Sequence, residues 1–391
     1  MALLPHDARP AADALFANPG SRRDLAVPPD EALDVLDEGG LAEAARSIGA
    51  WEGYGPTPLH RLAGLAAAMG VGAVLLKDEG GRFGLGSFKA LGGAYAVERL
   101  VARHGAGITV TCATDGNHGR SVAWGAARAG CRCVIYIHEA VSEGRRRAIE
   151  AYGAEVRRVP GTYDDAVRKA AEDAALAGWK VVSDTSWPGY EEVPKDVMQG
   201  YAVMAEEALD QAGAAPTHIF VQGGVGGIAA AAAMRAWRRF HTRRPALVVV
   251  EPELAACLLA SARARAVTSV AITEETVMAG LSCGEPSLIA WKVLEPAADW
   301  FMAIPDAAAA PVMRLLADGV SGDLPVVAGE SAVAGLAGAI ACAEDPAMRE
   351  RLGLGPESRI LVFSTEGDTD PELYARLVGR SAEEVRAAGN R

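Results

Sequence analysis

From Val71 to the end of the chain, short β-branched runs alternate with stretches of helical periodicity, and this alternation limits the fold more than any other feature. The runs fall at 72–79, 107–112, 131–138, 155–160, 180–183, 218–222, 246–251 and 359–364. Between most neighbours lies a helical pattern of roughly 10 to 18 residues, the length a crossover between parallel strands needs. The pattern predicts an α/β protein with parallel or mostly parallel twisted sheets flanked by helices. At about 150 residues per domain, the 391 residues are enough for two domains, and half of them are apolar, so a sizeable core is easily built. No linker or internal repeat marks a boundary. The stretch before residue 50 is polar and proline-bearing, with one helical pattern over 31–48, and the less regular stretch 265–286 is expected to form loops over a site.

Charge and cysteine usage narrow the class. A net charge of −12 and an isoelectric point near 5.2 argue against nucleic acid and against anionic membrane surfaces. The N-terminus lacks a charged segment followed by an apolar one, so no signal peptide is expected. No uncharged apolar run of about 18 residues occurs, so no spanning helix is expected either. The cysteines at 112, 131, 133, 257, 283 and 342 form no zinc-type pair, and free thiols in a cytoplasmic protein are the expectation. Cys257 and Cys283 share the central region, and their spacing leaves open whether they meet.

The chemistry-bearing residues stand in loops that follow strands and open helices, where open α/β sheets bind ligands. The first loop is Ser87-Phe88-Lys89-Ala90-Leu91-Gly92-Gly93. Only six lysines occur among 38 basic residues, and Lys89 sits where a loop becomes the first turn of a helix. It has no acidic sequence neighbour, so partial burial is expected to lower its pKa and free the amine as a nucleophile. A solvated lysine at a helix start is the plainer alternative. The second loop, Thr114-Asp115-Gly116-Asn117-His118-Gly119, offers the neutral donor and acceptor of Asn117, or a simple helix cap.

The third loop runs Gln222-Gly223-Gly224-Val225-Gly226-Gly227. Successive backbone N–H groups at a helix start suit a phosphate, although such turns also serve close packing. It matches neither the dinucleotide nor the triphosphate fingerprint. The fourth, Ser364-Thr365-Glu366-Gly367-Asp368-Thr369-Asp370, is rich in hydroxyls and acids. A contact from a hydroxyl to a pyridine nitrogen is the sharper reading there, against metal binding by the acids, and no metal is expected. A fifth segment, starting Ser183-Asp184-Thr185, supplies a second aspartate beyond a strand end. Asp115 and Asp184 brought together would repel, raising one pKa for acid or base work; taken singly, each reads as a cap.

A lysine at a loop-to-helix junction, a Gly-Asn-His loop after it and a distant glycine turn together resemble the fold-type-II pyridoxal phosphate enzymes, the group of threonine dehydratase and the tryptophan synthase β subunit. Longer strings are similar to the diaminopropionate ammonia-lyase family. They include Lys77-Asp78-Glu79, Arg82-Phe83-Gly84-Leu85, Ser87-Phe88-Lys89, Thr114-Asp115-Gly116-Asn117-His118-Gly119, Ser183-Asp184-Thr185-Ser186-Trp187-Pro188-Gly189-Tyr190, Met198-Gln199-Gly200-Tyr201, Ala279-Gly280-Leu281-Ser282-Cys283-Gly284-Glu285 and Thr365-Glu366-Gly367-Asp368-Thr369-Asp370-Pro371. The resemblance spans roughly residues 50 to 375.

The resemblance implies a homodimer whose subunits each hold pyridoxal 5′-phosphate in a cleft between a large domain, 1–89 plus 211–391, and a small one, 90–210. Lys89 would carry the cofactor covalently. Gly223, Gly224, Val225, Gly226 and Gly227 would cradle its phosphate, Asn117 would bond its ring 3-oxygen, and Thr365 (or Ser364) would face its ring nitrogen. The implied reaction is α,β-elimination of 2,3-diaminopropionate to pyruvate and two ammonia. Asp115 and Asp184 would bind the ammonium that distinguishes this substrate from serine or threonine. Asp115 would also take the Cα proton from the D enantiomer and Lys89 from the L enantiomer. Glu285 would steer the substrate amine or cap a loop. A serine or threonine dehydratase is the nearest alternative, disfavoured by Asp115. A β-replacement enzyme would need a second substrate site, and a non-catalytic cofactor-binding protein would show a missing lysine or a broken glycine turn.

Overall fold

The computed structural model describes residues 2–11, 13–114 and 116–389, with the backbone but not the side chain of Asp164. Asp115, one of the two expected carboxylates, therefore lies outside the described residues. The strands assemble into two sheets. The larger has the order β1 (Leu15–Ala17), β10 (Trp300–Ile304), β9 (Ala246–Pro252), β8 (His218–Gln222), β11 (Arg359–Ser364), β3 (Ala73–Asp78), β2 (Leu59–Arg61). The smaller has the order β6 (Glu155–Val159), β5 (Arg132–His138), β4 (Thr109–Ala113), β7 (Lys180–Val181). All pairings are parallel except those of β1 with β10 and β2 with β3.

Each of the strands expected from the sequence is present, with ends shifted by at most two residues. Three were not expected. β1 and β2 span three residues each, too few to show a period, and form the two edges of the large sheet. β10 follows directly on the apolar Leu288–Ala297 helix, so its own apolar run merges with the helix pattern. The stretch 31–48 is not one helix but two, Asp30–Leu33 and Glu38–Gly49, because Asp37 restarts the chain by accepting the Gly40 N–H at 2.9 Å.

Strand alternation sorts the large sheet's side chains onto two faces. Val74, Leu76, Phe220, Val248, Val250, Ile360 and Val362 enter one core. Leu75, Ile219, Val221, Leu247, Val249, Leu361 and Phe363 enter another, which continues through the Lys89–His104 and Glu192–Gln211 helices to Val110, Ile135 and Ile137 of the small sheet. Those two helices cross closely: a Cβ at Gly200 would fall 2.2 Å from the Leu91 carbonyl oxygen. The parallel arrangement turns the carboxyl ends of β3, β8 and β11 in one sheet, and of β4 and β7 in the other, into the loops that carry the expected site residues. Among the described residues no helix is long and apolar enough to cross a membrane.

A buried ionic cluster fixes the approach to Lys89. Lys77 Nζ donates to Glu207 at 2.7 Å, to the Thr57 carbonyl at 2.7 Å and to Gln211 at 2.8 Å. Arg82 donates to both Glu79 oxygens at 2.8 Å and to Glu207 at 2.7 and 3.0 Å. Two positive and two negative side chains are all buried, so removing one strands an uncompensated charge. Glu207→Ala is expected to lower unfolding free energy by about 3–5 kcal/mol in urea titrations. Glu206→Ala, which breaks a half-exposed pair with Arg235, is expected to change it by under about 1 kcal/mol.

Candidate active site

Lys89 opens the Lys89–His104 helix. Its amine donates to Asp184 Oδ2 in a close ion pair. The two side chains are 20% and 21% exposed, reachable by a small molecule but largely dry. The Phe88 and Tyr201 rings flank the amine, with centroids 5.3 and 5.7 Å away. Burial pulls the Lys89 pKa down, but Asp184 and then Tyr201 outweigh it, and the net shift is upward. Burial likewise pushes Asp184 up, yet Lys89 and then His118 pull it well below the ordinary carboxylate value. The Lys89 shift corrects the sequence expectation: the amine is not freed in the cofactor-free chain, because Asp184, far from it in sequence, meets it in space. The same pair holds Asp184 as an anion; its expected repulsion with Asp115 lies outside the described residues.

Asp184 is positioned from both sides. The Tyr190 hydroxyl accepts the Ser183 N–H at 3.0 Å and donates to the Val181 carbonyl at 2.9 Å. Ser186 Oγ lies 2.9 Å from Ser287 Oγ and accepts the Ile289 N–H at 3.0 Å, which ties this loop to the Leu288–Ala297 helix. His118 Nε2 lies 2.8 Å from the Val182 carbonyl and so must donate to it. Burial lowers the His118 pKa, which keeps the ring neutral and leaves Nδ1 as an acceptor with no partner among the described residues.

Asn117, at the start of the Asn117–Ala129 helix, donates from Nδ2 to Glu366 Oε2. Glu366 also accepts the Ser331 N–H at 3.2 Å and the Thr369 hydroxyl at 3.3 Å. A carboxylate accepts only, so the Asn117 amide orientation is fixed. Glu330 stands beside it, its pKa pushed up to about 8 by burial and then by the Glu366 charge. Arg145 reaches Glu330 at 3.7 Å and Asp370 at 3.5 Å. The acids of the fourth loop are thus engaged: Asp370 caps the Leu373 N–H at 3.1 Å, and Asp368 pairs with Arg386.

The glycine turn lies between β8 and the Gly227–Phe240 helix. The Gly223 N–H donates to the Val250 carbonyl at 2.9 Å and the Gly226 N–H to the Gly223 carbonyl at 3.0 Å. Gly224 and Gly226 have φ of 57° and 100°, which a side chain would strain. Among the described residues the Gly224, Val225 and Gly227 amides donate to no backbone carbonyl. Next to the turn, Thr365 accepts the Phe88 N–H on its carbonyl at 3.0 Å and the Gln222 Nε2 on its hydroxyl at 3.3 Å. Ser364 Oγ is buried with no partner among the described residues. No disulfide joins cysteines among the described residues; Cys257 Sγ lies 3.7 Å from the Gly224 carbonyl. Glu285 is exposed.

These groups fit pyridoxal phosphate: an amine to hold the aldehyde, unaccepted amides at a helix start for the phosphate, an oriented amide for the 3-oxygen and a spare hydroxyl for the ring nitrogen. A profile of pyridoxal-phosphate dependent enzymes matches residues 50–366. Diaminopropionate ammonia-lyase of Escherichia coli K12 is 38% identical over 349 residues, 83% of this chain and 88% of that protein. The chain belongs to the diaminopropionate ammonia-lyase family. The Salmonella typhimurium LT2 member is 37% identical, over 84% of this chain and 90% of its own. The E. coli lyase solved with an aminoacrylate–pyridoxal phosphate azomethine intermediate superposes with a TM-score of 0.85 at 36% identity, covering 93% of this chain and 96% of that one. A tomato threonine deaminase, 19% identical with a TM-score of 0.77, shares the fold.

Among the expected residues, then, Lys89 meets Asp184, its neighbour Phe88 meets Thr365, Thr365 meets Gln222 at the head of the glycine turn, and Asn117 meets Glu366 next to Thr365. Tyr201, His118 and Glu366 also stand among these contacts, and no local sequence signal shows where their side chains go. The Lys89–Asp184 pair has a definite pH signature. Asp184 is held below its ordinary 3.8, so its contribution to stability is present above that value and fades as pH falls. Lys89 is held above its ordinary 10.5, so its contribution is full below that value and fades as pH rises through the raised one. Asp184→Asn removes the largest of the effects that oppose burial at Lys89. Reaction of the cofactor-free amine with an aldehyde probe, followed against pH, is expected to shift to lower pH; an unchanged midpoint would separate the two residues in solution.

Proposed function

We propose that the chain converts 2,3-diaminopropionate and water to pyruvate and two ammonia, with pyridoxal phosphate carried on Lys89. What supports this reading most directly is the ionised Asp184 carboxylate held in the same cleft as the Lys89 amine. The chemistry supplied by the bound cofactor is electron withdrawal from the substrate Cα, which makes its proton removable. The residues of the chain do the rest. When the substrate amine takes the cofactor from Lys89, the freed lysine stays in the cleft and removes the Cα proton of the L enantiomer. Asp115 is the base that removes it from the D enantiomer.

Asp184 meets the second ammonium of the substrate. Serine or threonine would bring a hydroxyl instead and leave the carboxylate unpaired in a dry site, which disfavours them. The leaving amine must depart protonated, and Asp184 holds it in that state beside the cleavage. The released enamine hydrolyses in water to pyruvate and the second ammonia. Asn117 holds the ring 3-oxygen, the Gly224, Val225 and Gly227 amides of the glycine turn hold the phosphate, the Gly223 and Gly226 amides being already taken by backbone carbonyls, and Thr365 or Ser364 meets the ring nitrogen. The working unit in this reading is a cytoplasmic homodimer, each subunit divided into 1–89 with 211–391 and an inserted 90–210.

The test is pyruvate release from D- and L-2,3-diaminopropionate beside serine and threonine. Fast release from the diamino acids alone is expected; faster release from serine or threonine would make this a dehydratase on the same scaffold. Asp184→Asn is expected to lower kcat/KM for diaminopropionate by on the order of a hundredfold or more and to narrow its advantage over serine. Asp115→Asn, with cofactor still bound, is expected to abolish activity on the D enantiomer and spare most of that on the L. Equal loss on both would overturn the division between the two bases.

A further inference from the structure

Tyr201 is 1% exposed, and its hydroxyl has no hydrogen-bond partner among the described residues. A buried hydroxyl without a partner is unfavourable, so an unpaired one beside a cleft marks a missing acceptor. The ring is wedged between two helix starts. A Cβ at Gly92, in the first turn of the Lys89–His104 helix, would fall 2.4 Å from Tyr201 Cε1. A Cβ at Gly227, the first residue of the Gly227–Phe240 helix, would fall 3.7 Å from Cε2. The hydroxyl sits on the carbon between those two ring positions, so it points into the gap between Lys89's first turn and the glycine turn. Gly227, whose amide has no backbone acceptor among the described residues, borders the same gap and joins it to the glycine turn. The Phe88 ring packs on Tyr201 with centroids 4.6 Å apart, fixing its plane.

We propose that the Tyr201 hydroxyl donates a hydrogen bond to the cofactor's phosphate, completing a donor set that the glycine turn begins. Burial holds the phenol well above its ordinary pKa, so it keeps the proton it donates. The ring packs against Phe88 and the two helix starts, while the hydroxyl, beside Lys89, makes no geometrically formed hydrogen bond among the described residues. The inference rests on the reading of the glycine turn as the phosphate site.

Two ligands separate the possibilities. Pyridoxal 5′-phosphate and pyridoxal present the same aldehyde to Lys89 and differ only in the phosphate. Their dissociation constants for the cofactor-free full chain are measured by absorbance for the wild type and Tyr201→Phe, with thermal melting to show that both are folded. Loss of a hydrogen bond to a charged acceptor is expected to weaken pyridoxal 5′-phosphate binding on the order of tenfold or more, with pyridoxal binding unchanged. Millimolar inorganic phosphate is expected to compete with the cofactor in the wild type and less well in Tyr201→Phe. Weakening of both ligands alike, or of neither, would overturn the assignment while leaving the glycine turn in place. A wild type that binds the two ligands equally would overturn the glycine-turn reading itself, and this inference with it.

Discussion

Four charges buried together hold the site in place. Lys77, Glu79, Arg82 and Glu207 balance one another where water is excluded, and each is satisfied by the others and by backbone. Because a buried ion is stable only with its partners, the loop between β3 and Lys89 has no freedom to drift from the Glu192–Gln211 helix. That helix also presents Tyr201 to the amine, so the cluster sets the distance between Lys89 and one wall of its own pocket. The close approach of Gly200 to the Leu91 backbone acts in the same direction.

The Lys89–Asp184 pair then shows how one environment serves two states. Without cofactor, Asp184 keeps the amine charged and the two charges offset each other. In the proposed reaction the amine is engaged elsewhere, and the substrate's second ammonium takes the lysine's place beside the carboxylate. On that proposal, the geometry that holds Lys89 charged in the resting chain also favours a diamino acid, since a substrate with one ammonium would leave a dry anion without a partner. His118, neutral and anchored on Val182, adds an acceptor to that wall without adding charge.

A second carboxylate arrangement lies at the edge of the cleft. Glu366 fixes the Asn117 amide, and the neighbouring Glu330 responds by holding its proton to higher pH. Arg145 bridges Glu330 and Asp370. These contacts join segments that belong to the small sheet with segments that follow the large one, so the two layers meet through polar contacts as well as the shared apolar core.

The sequence by itself determined the alternation of strands and helices, and with it the parallel sheets, because buried strands and crossover helices each leave a local pattern. It also placed Lys89, Asn117, the glycine turn and Thr365 at strand ends, where junction chemistry is readable residue by residue. It could not show β1, β2 or β10, whose signals are too short or merge with a neighbour. Nor could it show that Asp184, 95 residues from Lys89 in the chain, is the amine's partner, that Glu366 orients Asn117, or that the Tyr201 hydroxyl is left without one. Those are decided by which loops the folded sheets bring together. Charge state and hydrogen-bond satisfaction depend on distance in space and on burial, and neither is written in local sequence.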